Sequence, residues 1–179
     1  MKGVIFNLLE DVVSEEHGDD VWDDLLDAAG LEGTYTSLGN YPDTDLHALL
    51  EAVGTKTGDS PDDILRWFGR RAIPKLSTVY PNFFEGHDLR GFLLTLNDII
   101  HAEVVKLYPG ADVPIFDYID GPGRTLAIEY RSQRQLCPLA EGFILGASDH
   151  FREPVSIQQS TCMRDGADRC TIECTFGAG

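Results

Sequence analysis

The chain has little positive charge. Against 14 Lys and Arg it carries 30 Asp and Glu, a formal charge of −16 over 179 residues. That balance argues against nucleic acid and anionic membranes as partners, since both repel an acidic surface. Also missing are any apolar run of about 18 residues, the length a membrane-crossing helix needs, and any basic, apolar leader. The expectation is a soluble, cytoplasmic protein. Cysteine is scarce, and Cys137, Cys162, Cys170 and Cys174 all lie near the end of the chain. Without a leader they read as reduced thiols rather than a disulfide framework. No repeat, low-complexity segment or clear linker interrupts the chain, so it reads as one domain or one domain with two lobes. At this length folding removes roughly 70% of the unfolded surface from water, enough for a core and an internal ligand pocket.

Acid is spread along helix faces, as in Glu15, Glu16, Asp19, Asp20, Asp23 and Asp24. This is a solvated surface, or a docking face for a basic partner. The first third reads as helices. Val4, Ile5, Leu8, Leu9, Val12 and Val13 form an apolar stripe at helical spacing. Asp19 or Asp20 can cap a second helix that stops at Gly30, and Asp43-Thr44 opens a third. Ser60-Pro61-Asp62-Asp63 is a strong helix start, and Pro74 is expected to kink or end that helix. Asp88 opens one long helix through Leu107. From Val113 a link punctuated by Pro114 and Gly121-Pro122-Gly123 leads to a strand ending near Tyr130. A helix through Leu139 and Phe143 follows, then strands around Val155–Gln159 and Cys170–Phe176. Helices first and antiparallel strands later predict an α+β fold, a helical N-terminal part followed by a mixed half with a small antiparallel sheet.

Two places carry chemistry. In Thr125-Leu126-Ala127-Ile128-Glu129 apolar and polar residues alternate, so Leu126, Ile128, Tyr130, Ser132 and Arg134 share one strand face. That face begins apolar and ends in a phenol, a hydroxyl and a guanidinium, suited to a ligand with an apolar body and an anionic edge. The plain alternative is a strand running out into solvent. Of five histidines, His101 alone lies in an apolar helical context, Ile99-Ile100-His101-Ala102-Glu103-Val104-Val105, flanked at helical spacing by Leu94, Asn97 and Val105. It is either a core histidine or a metal ligand. Together the two places match haem, which needs an axial ligand and donors for two propionates. No Cys-x-x-Cys-His is present, so a haem would be held non-covalently.

These residues, in this order and spacing, resemble the H-NOX family, the haem nitric oxide/oxygen-binding domains related to the sensor domain of soluble guanylate cyclase. The resemblance runs from Met1-Lys2-Gly3-Val4-Ile5 through Asp98-Ile99-Ile100-His101 and Pro114 to Tyr130-x-Ser132-x-Arg134. It implies one haem-binding domain over 1–179, with a helical subdomain over about 1–60 and a haem-ligating subdomain over about 61–179. It further implies haem b, with His101 as proximal iron ligand, Tyr130, Ser132 and Arg134 on the propionates, and Pro114 pressing on the haem. Ile5, Leu9, Leu139 and Phe143 match distal positions, and Ala72 and Leu76 match others.

O2-binding members have a distal tyrosine where this chain has Leu139, and Leu9, Ala72 and Leu76 supply no donor either. Ferrous-bound O2 gains more from a hydrogen bond than NO or CO. Its absence costs O2 on the order of 1–3 kcal/mol, roughly ten- to a hundredfold. The expectation is NO and CO binding with O2 excluded. Some bacterial members hold structural zinc through three cysteines and a histidine. Here Cys137, Cys162 and Cys170 are the candidate ligands, and Gln159 stands where the histidine would be. Cys174, four strand residues from Cys170, lies roughly 13 Å away along a regular strand, too far to share one ion. Free thiols or a redox pair are the alternatives.

The reading is a gas-sensing, non-enzymatic haem module, expected to be a monomer. Its output is expected in a separate effector such as a sensor histidine kinase or a cyclic-di-GMP enzyme. The rivals are a haem-free small-molecule or zinc-binding module, since the Cys162–Cys174 tail also resembles vinyl-reductase-type ligand domains, and a haem enzyme. The enzyme would need a distal acid/base histidine, which the matching positions lack.

Overall fold

The computed structural model describes residues 1–177 and has the expected α+β architecture. Helices α1 (Gly3–His17), α2 (Asp19–Ala29), α3 (Asp43–Thr57) and α4 (Pro61–Val79) form the first part. Along α1 the apolar stripe splits. Leu8, Leu9, Val12 and Val13 are buried, as is Phe6, whose ring stacks on Tyr35 at 4.2 Å. Asp19 and Asp20 lie inside the first turn of α2, where they oppose the helix dipole, and Gly18 takes the cap position without a side-chain bond. Ser60 does cap α4, its hydroxyl accepting from the Asp63 amide at 3.2 Å. Pro74 does not end α4, which runs on to Val79. The Ser77 and Thr78 hydroxyls both donate to the Pro74 carbonyl at 2.9 Å.

The helix expected as one piece from Asp88 to Leu107 is in three. Helix α5 (Leu89–Leu94) is capped by Asp88, a π-helical turn spans Leu96–His101, and α6 (Ala102–Leu107) completes the run. The stretch after Pro114 is a strand rather than a link. Strand β1 (Ile115–Asp120) pairs antiparallel with β2 (Thr125–Arg131), Phe116 opposite Tyr130, through a turn at Gly121-Pro122-Gly123. Its alternation was masked because Asp120 falls on the inward side and Ile115 and Ile119 on the outward one. Helix α7 (Cys137–Phe151) and strands β3 (Val155–Thr161) and β4 (Cys170–Phe176) complete an antiparallel sheet of order β1-β2-β4-β3.

Two cores result. One joins α1, α2 and α3 to Ile64, Leu65, Phe68 and Ala72 of α4, with Leu139 of α7. The other joins the sheet to α5, α7 and Ile73. Helix α4 thus serves both cores. Its crossing with α7 is close. A Cβ on Gly69 would sit 2.6 Å from the Leu139 carbonyl oxygen, and one on Gly146 would sit 2.5 Å from that of Arg70. The Arg70 carbonyl is the one Pro74 leaves without its usual helical donor. Arg66–Glu141 and Arg70–Asp149 ion pairs, both 2.6 Å, flank the crossing.

Candidate haem pocket and cysteine cluster

Where the two cores meet lies a largely apolar cavity of about 320 Å³. Helix α1 contributes Val4, Ile5 and Leu8, α4 contributes Ile73 and Leu76, and α7 contributes Leu139, Ala140, Phe143 and Ile144. His101, Pro114, Tyr130, Ser132 and Arg134 line it as well. Two expected residues do not. Leu9 and Ala72 are 3% and 0% exposed within the N-terminal core. At about 100° per residue, Val4, Leu8 and Ile5 span about 100° of α1 and line the cavity, while Leu9, about 40° beyond Ile5, points into the core. On α4, Ile73 and Leu76 share a side in the same way.

His101 closes the π-helical turn. Its Nδ1 is buried and has no hydrogen-bond partner among the described residues. The Phe116 ring stacks on the imidazole, centroids 5.5 Å apart and planes 25° apart. Burial lowers the pKa of the imidazole; the Pro114 carbonyl acts the other way without making a hydrogen bond of normal geometry to Nδ1. The neutral form, favoured by burial, is the one that binds metals.

Tyr130, Ser132 and Arg134 do meet at the cavity, but not on one strand face. Strand β2 ends at Arg131, and the chain turns, with the Gln135 amide donating to the Ser132 carbonyl at 3.1 Å and Gln135 itself at φ 52°. The buried Tyr130 hydroxyl accepts from the Leu136 amide at 3.0 Å. Burial raises its pKa, against the Ser132 hydroxyl and that amide, which lower it. Arg134 Nε donates to Asp43 at 3.0 Å, and Nη1 donates to the carbonyl and carboxylate of Asp112, both at 2.8 Å. Asp43 also receives the Met1 amino group at 2.6 Å. Burial alone would push the Asp43 carboxyl up, but these two cations hold it below its usual range. Sequence reasoning missed Asp43 and Asp112, because only the fold brings α3 and the loop before Pro114 to the same guanidinium. Two further hydroxyls line the cavity, Tyr80 and Tyr108, and they bond each other at 2.7 Å.

Beside Tyr130, whose partner across the sheet is Cys170, the sulfurs of Cys137, Cys162 and Cys170 lie within 4.8 Å of one another, while Cys174 stays outside the group. Cys162 lies 3.8 Å from Cys137 and 3.9 Å from Cys170. A tetrahedral ion with bonds of about 2.3 Å spaces sulfurs about 3.8 Å apart, so three ligand positions fit zinc. The Gln159 amide reaches Cys137 Sγ at 3.7 Å. Burial pushes the Cys137 thiol up to about 12. Cys162 is lowered in spite of burial, through the Arg164 amide and guanidinium.

The arrangement defines a class: a small α+β domain with an apolar cavity between two cores, an imidazole on its wall and Tyr130, Ser132 and Arg134 at its edge. The profile of the haem-NO-binding family matches residues 2–159, and the chain belongs to this family of haem-based gas sensors, the H-NOX domains. These are sensor domains rather than enzymes. The crystal structure of an H-NOX protein from S. oneidensis in the Fe(II)NO state is 31% identical, with 98% of this chain and 99% of that one covered and a TM-score of 0.91. The NMR structure of an H-NOX domain from Shewanella oneidensis in the Fe(II)CO state is 31% identical, covering 100% of both chains with a TM-score of 0.90. An unliganded Fe(II) H-NOX protein from K. algicida is 26% identical, with 100% of this chain and 98% of that one covered and a TM-score of 0.87.

Proposed function

We propose that this chain is a haem-based sensor that takes NO and CO and excludes O2. The observation that carries the reading is the His101 imidazole, at an apolar cavity wall with a buried nitrogen left unpartnered. A histidine kept for packing alone would normally be hydrogen-bonded. Haem, when bound, supplies a ferrous iron that takes diatomic gases. His101 would hold its iron, and Tyr130, Ser132 and Arg134 would receive its carboxylates. Arg134 Nη2 has no partner among the described residues and is the donor most readily given. Pro114 would lie against one face, and Ile5, Leu76, Leu139 and Phe143 would form the wall over the other, backed by Leu9 and Ala72.

Gas choice follows from what the distal wall lacks. Leu139 and Leu76 offer no donor, and the Tyr80 hydroxyl is paired with that of Tyr108, either of the two being the donor. Were a bound gas to weaken the hold on His101, α6 and the π-helical turn would be free to move, the contact at Pro114 would ease, and α1 would shift through Ile5 and Leu8. A separate effector protein, a histidine kinase or a cyclic-di-GMP enzyme, reads that shift. The thiols of Cys137, Cys162 and Cys170 hold structural zinc, with Gln159 or water as the fourth ligand.

The test is the visible spectrum of reduced protein under nitrogen, NO and air. We expect a haem band, loss of His101 coordination under NO, and no oxygenated form in air. His101→Gly removes the axial ligand and changes the nitrogen spectrum. Unchanged coordination in that variant overturns the assignment, a stable oxygenated form overturns the selectivity, and protein purified without any haem band returns the question to the haem-free ligand domain.

A further inference from the structure

The segment that presents His101 is held in an unusual winding. Between Leu96 and His101 it is π-helical, and the amides of Ile99 and Ile100 both donate to the Thr95 carbonyl at 3.0 Å. Such turns are rare and are found where something outside the helix favours them. Asn97, inside the turn, provides that contact. The Phe116 amide donates to its Oδ1 at 3.0 Å, and its Nδ2 donates to the Phe116 carbonyl. One side chain thus meets both backbone groups of one residue, as a paired strand does, on the edge of β1 that no other strand covers. Phe116 is also the residue whose ring stacks on His101. One turn earlier, the Tyr118 hydroxyl donates to the Leu93 carbonyl at 2.7 Å, a second tie between β1 and the same helical run.

We infer that Asn97 is a positioning residue: it clamps the π-helical turn to β1 and so fixes where the His101 imidazole stands. The inference rests on the reading of His101 as axial ligand. An amide is the side chain for this task, because it presents one donor and one acceptor side by side. Asp keeps the bond from the Phe116 amide and sets a negative charge against the Phe116 carbonyl. Leu fills similar space and keeps neither bond.

Haem-loaded, reduced wild type, Asn97→Leu and Asn97→Asp are compared by resonance Raman in the iron–histidine stretching region and by stopped-flow loss of His101 coordination on adding NO. We expect the band to move in Asn97→Leu, and His101 to be lost roughly five- to thirtyfold faster, as two buried hydrogen bonds allow. Asn97→Asp is expected to fall between, and it carries the comparison should Asn97→Leu not retain haem. A second readout needs no haem: exchange of the Phe116 amide in haem-free protein is expected to speed up in the same order. Faster exchange with an unmoved band and unchanged loss of His101 makes Asn97 structural only and overturns the inference. No iron–histidine band in wild type overturns the reading of His101 beneath it, and is distinguished by appearing before any variant is made.

Discussion

On the reading proposed above, Leu139 is where the gas is chosen. It stands on α7, in contact with the N-terminal core and facing the cavity. It is only 7% exposed, so the wall is dry. In such a wall one hydroxyl has a large effect, because water does not compete with it. Leu139→Tyr is expected to raise O2 affinity roughly ten- to a hundredfold and to leave CO affinity within a few-fold. Oxygen and CO titrations of reduced protein check this, and an O2 affinity that does not move sinks the distal-wall account. That Leu139 faces the cavity followed from the family resemblance. That Leu8 and Ile73, rather than Leu9 and Ala72, face the cavity did not. Both pairs sit on one apolar stripe, and only the angle at which α1 and α4 meet the C-terminal core decides which member is turned inward.

At the scale of elements, legibility followed periodicity and caps. Ser60-Pro61 and Asp88 mark real helix starts because the hydroxyl and carboxylate meet the free amides of the first turn. The π-helical turn was not legible, since its signal is the Asn97 amide finding Phe116, a partner 19 residues away. Strand β1 was hidden by the same non-locality: its register is set by β2. The three cysteines were named from the family resemblance, with strand spacing setting Cys174 aside, yet their convergence needs α7, β3 and β4 packed together. Zinc there would staple the first turn of α7 to the loop between β3 and β4. Protein purified without chelator is expected to carry about one zinc per chain, and Cys162→Ser to carry none. Loss of the metal is expected to lower Tm by at least about 5 °C, a shift of roughly 2–4 °C per kcal/mol being usual at this length. Elemental analysis and thermal melts check both, and a metal-free wild type with an unshifted Tm in the variant leaves the thiols to redox chemistry.

Across the whole molecule, the two cores share α4, and α4 is bound tightly to α7. Glycine backbones at Gly69, Gly142 and Gly146 let the helices touch, and the Arg66–Glu141 and Arg70–Asp149 pairs bracket the contact. A packed crossing of this kind repacks in steps or not at all. On the proposed reading, movement that starts at His101 goes elsewhere: into α6, half-exposed along its length, and into α1, which meets the cavity through Ile5 and Leu8. Hydrogen exchange with and without NO tests this division. Amides of Ala102–Leu107 and of the first two turns of α1 are expected to exchange at least about tenfold faster with NO bound, since local opening reports the loss of tertiary ties. Those around Gly69, Gly142 and Gly146 are expected to stay protected in both states. An NO effect concentrated at the α4–α7 crossing, with α6 unchanged, would mean that the two cores move apart along α4. In that case the signal would leave the molecule through α4 and α7 rather than through α1.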